Sequence, residues 1–168
     1  EWVRYGQMHR NTFIHSPSLL EPTTRFRGRQ DLYLAGQLIG TEGYVGSTAS
    51  GLLAGLNAAR AAQGQGRVAF PGTTMLGALM RYVSGGGGHI EGAATACPAP
   101  PEGDFQPMKP NLGLLPPLEN GPRKKRARQA ALAERALADL ERFVEEQGLL
   151  DGVAFPTLHT TDEGAPIV

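Results

Sequence analysis

Three groups of residues in this chain have types and spacings suited to chemistry. In the run Gly6-Gln7-Met8-His9-Arg10-Asn11-Thr12-Phe13-Ile14, an imidazole, a guanidinium and a carboxamide stand side by side. An imidazole can stack on a flat heterocycle. Arg10 can pair with a carboxylate or phosphate, and Asn11 can bond a ring edge. The second group is the stretch from Ala35 to Gly51, AGQLIGTEGYVGSTASG. It leaves a short apolar run, turns through glycines and enters a helix whose first turns are almost all small residues. Gly36, Gly40 and Gly43 permit positive φ and close backbone approach. A helix start offers free N–H groups and partial positive charge to an anion or an electron-rich ring. Gln37 can bond a sugar hydroxyl, so the unit can hold a dinucleotide-like cofactor. The third group is Arg123-Lys124-Lys125-Arg126-Ala127-Arg128, a basic cluster at a helix start.

Each group also has a plainer explanation. His9 can be a strand histidine bonded to backbone. The stripe Gly43, Ser47, Gly51, Gly55 falls four residues apart on one helix face. Glycine there costs about 1 kcal/mol against alanine, which argues for close approach to a sheet or a ligand. Helix–sheet packing alone would serve as well. Positive charge at a helix start opposes the dipole, so the basic cluster calls for compensation. Nucleic-acid phosphate and a solvated face are equal alternatives.

Other residues are set aside. His15 reads as structural, while His89 and His159 read as solvated. The four histidines lack metal-ligand spacing, and no metal is expected. Cys97 has neither a neighbouring base nor a helix start to lower its pKa, which argues against a nucleophile. Ser84-Gly85-Gly86-Gly87-Gly88 is not a phosphate loop, because no Gly-Lys-Ser/Thr follows.

The elements that must position these residues follow from periodicity. Residues 2–5, 12–15 and 24–27 read as short strands, and Asp31-Leu32-Tyr33-Leu34-Ala35 as the best strand. A helix is expected over 43–62, with Leu52, Leu53 and Leu56 available to a core. Thr73 or Thr74 should cap a second helix over 75–83. A long helix is expected over about 123–147, with Leu132, Ala136, Leu140, Phe143 and Val144 as its apolar face and Gly148 as its stop. Segment 105–118 is proline-punctuated and reads as extended. The expected organisation is a folded unit over 1–83, a flexible loop over 84–104, an extended segment and helix over 105–148, and a frayed tail over 149–168.

The chain has 168 residues, with 16 Lys+Arg balanced by 16 Asp+Glu. Zero net charge excludes a generally basic nucleic-acid binder, so any such contact must be local. With 23 glycines and 13 prolines, loops must be long or must line a site. A single cysteine excludes an internal disulfide and a cysteine zinc cluster, and points to a reducing, cytoplasmic compartment. No secretory signal or membrane-length apolar run is visible. The start at Glu1 reads as the C-terminal portion of a longer protein.

The blocks GQMHRNTFI (6–14), LYLAGQLIGTEGYVGSTASGLLAGLNAAR (32–60) and FQPMKPNLGLLPPLE (105–119) resemble the folate-dependent, FAD-containing tRNA (uracil-5-)-methyltransferases. These belong with the flavoproteins related to glucose-inhibited division protein A. The blocks stand in the family's order, and the likeness covers about residues 1–147. Gly46 departs from the family, which commonly has glutamate there, and the 84–103 loop is longer and richer in glycine.

The resemblance implies an α/β fold: part of a glutathione-reductase-like FAD/NAD(P)-binding fold that lacks its N-terminal glycine fingerprint, plus a C-terminal helix. It implies FAD, with methylenetetrahydrofolate and NAD(P)H as co-substrates, and 5-methyluridine formed in the tRNA T-loop. FAD would be held by Gly36, Gln37, Gly43, Tyr44, Val45 and Ser47. Folate would be held by His9, Arg10 and Asn11, with His9 stacked on the pterin. Arg123, Lys124, Lys125, Arg126 and Arg128 would face tRNA. No catalytic residue is expected in this chain, because the uracil-attacking thiol would lie in a preceding N-terminal part of the same protein. One alternative is the related wobble-uridine carboxymethylaminomethyl-modifying flavoprotein, whose central segment is similar. An alternative of another class is a non-catalytic RNA-binding or scaffold fragment.

Overall fold

A computed structural model describes residues 12–86 and 105–151. His9, Arg10, Asn11 and Cys97, the expected strand at 2–5 and the tail beyond 151 lie outside them. Four α-helices are described: α1 Ser16–Leu19, α2 Gly43–Ala62, α3 Met75–Val83 and α4 Lys125–Glu146. Two 3-10 turns, Gly36–Ile39 and Leu112–Leu114, complete the regular structure.

The three long helices form where periodicity and punctuation place them. Thr74 caps α3 by accepting from the Gly77 N–H at 3.1 Å. Gly148, at φ +57°, follows the end of α4 in the left-handed conformation that stops a helix. On α4, Leu132 is buried and Phe143 meets Phe70 at a ring-centroid distance of 5.0 Å.

The expected strands do not form among the described residues, so the α/β architecture is not borne out there. Segment 24–27 makes only isolated antiparallel bridges, Phe26 with Leu20 and Arg25 with Tyr33 of segment 31–35. Residues 12–15 are irregular. The reason lies in pairing: a strand persists only when a ladder satisfies its backbone groups. Here Phe26 N–H bonds Leu32 O and Leu34 N–H bonds Thr24 O, at 2.9 and 3.1 Å, across one short turn. Leu32, Leu34 and Ala35 are half-buried, whereas a central strand would be covered on both faces.

One core joins the elements. Leu53 from α2, Leu79, Met80 and Val83 from α3, Leu114 and Leu115, and Leu132 from α4 pack with Leu20 and Ile39. The buried face of α2 is Gly46, Ser50, Leu53, Ala54 and Asn57. Leu52, expected in the core, is instead 67% exposed, because its helical position falls on the opposite face. Gly46 explains how segment 105–118 comes so close: a Cβ there would stand 3.0 Å from Pro110 Cδ. The same segment pairs with the turn before α2, where Thr41 bridges Met108 in parallel.

The turn at 21–25 is held by charge. The Glu21 carboxylate accepts from Arg25 Nε at 3.0 Å and from its Nη2, and Thr23 Oγ1 donates to it at 3.3 Å. Arg25 bonding, with smaller help from Thr23 and the nearby Arg67 charge, holds the Glu21 carboxyl below its usual range against the opposing effect of burial. A lowered folded-state pKa stabilises the fold above the unfolded value, near pH 4.3, and that stability disappears as pH falls through the folded value. Glu21→Gln should therefore cost about 1–2 kcal/mol at pH 7. Urea titrations should show the gap between variant and parent closing well below pH 4; a gap that persists there would refute the charge clamp.

Candidate functional site

The turn leading into α2 is the better-built of two candidate surfaces. Gly36, Gly40 and Gly43 all have positive φ, at +72°, +84° and +76°. Gly40 also lies against Phe105, where a Cβ would stand 2.5 Å from the ring. Behind the turn runs a small hydroxyl network. Gly36 N–H donates to Ser50 Oγ at 2.9 Å, and Thr41 Oγ1 donates to Gly36 O at 2.8 Å. Thr41 and Ser50, both fully buried, approach to 3.1 Å. Ser47 Oγ donates to Thr41 O at 3.1 Å. These bonds rigidify the entry to α2.

The outward side of this entry is open. Glu42 precedes α2 without a side-chain cap bond, and the first turn holds no acidic residue. The N–H groups of Gly43, Tyr44 and Val45 have no acceptor inside the helix, as at any helix start. A Cβ at Gly43 would meet nothing within 4 Å. Tyr44 is 95% and Val45 76% exposed, large values for apolar-bodied side chains beside an uncapped helix end. Gln37 is exposed as well.

The six residues expected to hold FAD therefore gather within one turn, with different availability. Gln37, Gly43, Tyr44 and Val45 face outward. Gly36 shapes the turn with its backbone bonds already satisfied, and the Ser47 proton is directed to Thr41. The buried pair Thr41 and Ser50 was not singled out from sequence; hydroxyls spaced to meet one helix face are its only trace there. The stripe reading is divided: Gly51 and Gly55 are exposed, and a Cβ at either would meet nothing within 4 Å.

The second surface lies at the start of α4. Asn111 Oδ1 accepts from Gly113 N at 2.9 Å and shapes the turn at 112–114. From α4, Arg135 donates to the carbonyls of Pro117 and Pro116 at 3.2 and 2.6 Å, tying segment 112–122 to the helix. Between them runs a groove of about 660 Å³. Leu112, Leu115, Leu118 and Leu132 line it, with Arg123, Lys125 and Arg128 at the basic side. Lys124 and Arg126, expected to act with them, are exposed but do not line the groove. None of the five cations has an ion-pair partner among the described residues. Gln129 also lines the groove and was not anticipated from sequence.

His15 bonds Ser18 Oγ at 2.9 Å and meets the Phe105 ring edge-on at 6.2 Å, a structural role. Among the described residues, no group of three or more His, Cys, Asp or Glu could hold a metal ion. No helix among them is long and apolar enough to cross a membrane.

Comparison with known proteins bears out the resemblance. Residues 1–66 match the model of a family described as "Glucose inhibited division protein A". The chain is 49% identical over 146 residues to "Methylenetetrahydrofolate--tRNA-(uracil-5-)-methyltransferase TrmFO" of Synechococcus sp. (strain CC9311), covering 87% of this chain and 29% of that protein. Proteins of the same name from Halalkalibacterium halodurans and Lactiplantibacillus plantarum are each 48% identical over 146 residues, covering 87% of this chain and 30% of theirs. The chain thus spans about 30% of the length of the relatives it matches.

Proposed function

We propose that this chain is the C-terminal part of a folate- and flavin-dependent enzyme that methylates C5 of uridine in the tRNA T-loop. The observation that carries this reading is near-half identity, over 87% of the chain, to relatives named for that transfer from methylenetetrahydrofolate to tRNA. On this reading the chain supplies one wall of a glutathione-reductase-like FAD site, and the N-terminal part of the same protein supplies the glycine fingerprint and the uracil-attacking thiol.

The open start of α2 fits such a cofactor. Its unclaimed N–H groups and positive dipole end suit an electron-rich ring that gains negative charge. Gln37 would bond a sugar-chain hydroxyl, and Tyr44 and Val45 would close over apolar ring surface. Gly36, Gly43 and the Thr41–Ser50–Ser47 network would hold the backbone in place, so that little reorganises on binding. When bound, FAD supplies the redox chemistry, with NAD(P)H as electron source, that turns the folate one-carbon unit into a methyl group. By resemblance, His9 would stack on the pterin, Arg10 would meet the folate's glutamate carboxylate or a phosphate, and Asn11 would bond a heterocycle edge. The basic start of α4 would meet tRNA phosphate, which positions RNA without reading its sequence.

In the full-length enzyme, His9→Ala should lower folate-dependent 5-methyluridine formation roughly tenfold or more while bound flavin absorbance is retained; a tenfold change is about 1.4 kcal/mol. Parallel loss of flavin and turnover would contradict a folate-directed role.

A further inference from the structure

We propose that the groove between segment 112–122 and α4 receives an unstacked base of single-stranded RNA, with the adjoining phosphates on Arg123, Lys125 and Arg128. This rests on the tRNA-directed reading above and deepens it. The lining residues join two chemistries in one place. Leu112, Leu115, Leu118 and Leu132 give an apolar floor, and Pro117 and Pro122 add ring surfaces. Three cations without an ion-pair partner among the described residues stand along the helix side of that floor.

A polyanion alone would need no apolar floor, and an apolar peptide would need no cations. A nucleotide strand carries flat apolar faces at intervals along an anionic backbone, which fits both. Charge complementarity adds a second argument. α4 begins without a side-chain cap bond or an acidic residue in its first turn, so its dipole and its cations repel each other. An entering phosphate is attracted to both. The chain as a whole carries no net charge, so attraction for a polyanion must be local. Hydrogen bonds of Asn111 and Arg135 to Gly113, Pro116 and Pro117 brace one wall of the groove. Its volume of about 660 Å³ lies within the range of small-ligand sites.

Fluorescence anisotropy on the full-length protein tests this with two probes of equal length, an oligouridylate and an abasic sugar-phosphate oligomer. The oligouridylate should bind roughly tenfold more tightly, as expected for one base held against a protein surface. Leu118→Asn, at a half-buried position lining the groove, should take apolar surface from the floor and abolish most of that preference while leaving the salt dependence intact. Replacing Arg123, Lys125 and Arg128 by Gln should lower the slope of log affinity against log salt by about 2. Equal binding of the two probes, or an unchanged preference in Leu118→Asn, would overturn the proposal. So would uridine monophosphate binding as tightly as the oligomer, or a polyglutamate peptide displacing the RNA at equal charge. Failure here with methylation intact in the full-length enzyme would remove the groove alone. Base preference without methylation would keep the groove and remove the methyltransferase reading.

Discussion

Gly77→Ala should destabilise the chain by about 4 kcal/mol or more, a large share of an ordinary domain's roughly 5–15 kcal/mol. Gly77 lies in the first turn of α3, where its N–H reaches the Thr74 cap, and Thr74 Oγ1 donates in turn to Pro71 O at 2.7 Å. A Cβ on Gly77 would stand 2.0 Å from Pro71 O and 2.5 Å from Phe70 O. Both are backbone atoms of the segment entering the helix, so neither can swing aside as a flexible side chain would. Relief requires α3 to lift away from 70–71, which pulls Leu79, Met80 and Val83 out of the core. Overpacking of this kind exceeds the usual cost of about 1–3 kcal/mol when only main chain can yield. Gly55→Ala is the matched control, because open space surrounds that position. It should stabilise α2 by up to about 1 kcal/mol through helix propensity alone. Urea unfolding of the two variants should give shifts of opposite sign; a Gly77→Ala cost below about 1 kcal/mol would refute the backbone contact.

Asn57→Leu should cost about 3–5 kcal/mol despite the same side-chain branching. Asn57 is fully buried on α2 and ties two loops to the helix. Its Nδ2 donates to Thr23 O at 3.2 Å and Val68 O at 2.9 Å, while its Oδ1 accepts from Val68 N at 2.8 Å. Leucine would fill the space and leave three main-chain groups without partners. Each buried orphan costs about 1–3 kcal/mol. Asn57→Asp should be damaging too, since a carboxylate cannot donate to the Thr23 and Val68 carbonyls. Thermal unfolding should show both variants well below the parent, and an Asn57→Leu variant as stable as the parent would contradict this bonding.

The helices were legible because their signals are local. Small-residue turns, a threonine cap and Gly148 fix α2, α3 and the end of α4 within a residue or two. The strands were not, because a strand depends on a partner that sequence does not name. Leu32 to Ala35 carries β-type residues, yet only Arg25 and Tyr33 bridge across it. Gly46 illustrates a subtler limit. As a departure from the family's glutamate it reads as a lost polar group, whereas its closeness to Pro110 reveals a packing contact that lets segment 105–118 close on α2. The turn leading into α2 was legible as a glycine pattern. The division of labour within it was not, because the Thr41–Ser50 pairing requires the turn to be folded first. The basic cluster was legible as charge, but only the folded chain shows three of its five cations standing over a leucine floor.

The most direct measurement is the visible spectrum of the full-length protein, followed by assay with methylenetetrahydrofolate, NAD(P)H and tRNA lacking the T-loop methyl group. The proposed function predicts a bound-flavin spectrum and formation of 5-methyluridine. Flavin without methylation would point to the wobble-uridine chemistry instead. A protein without flavin that still binds RNA would contradict the account and leave a scaffold or RNA-binding role.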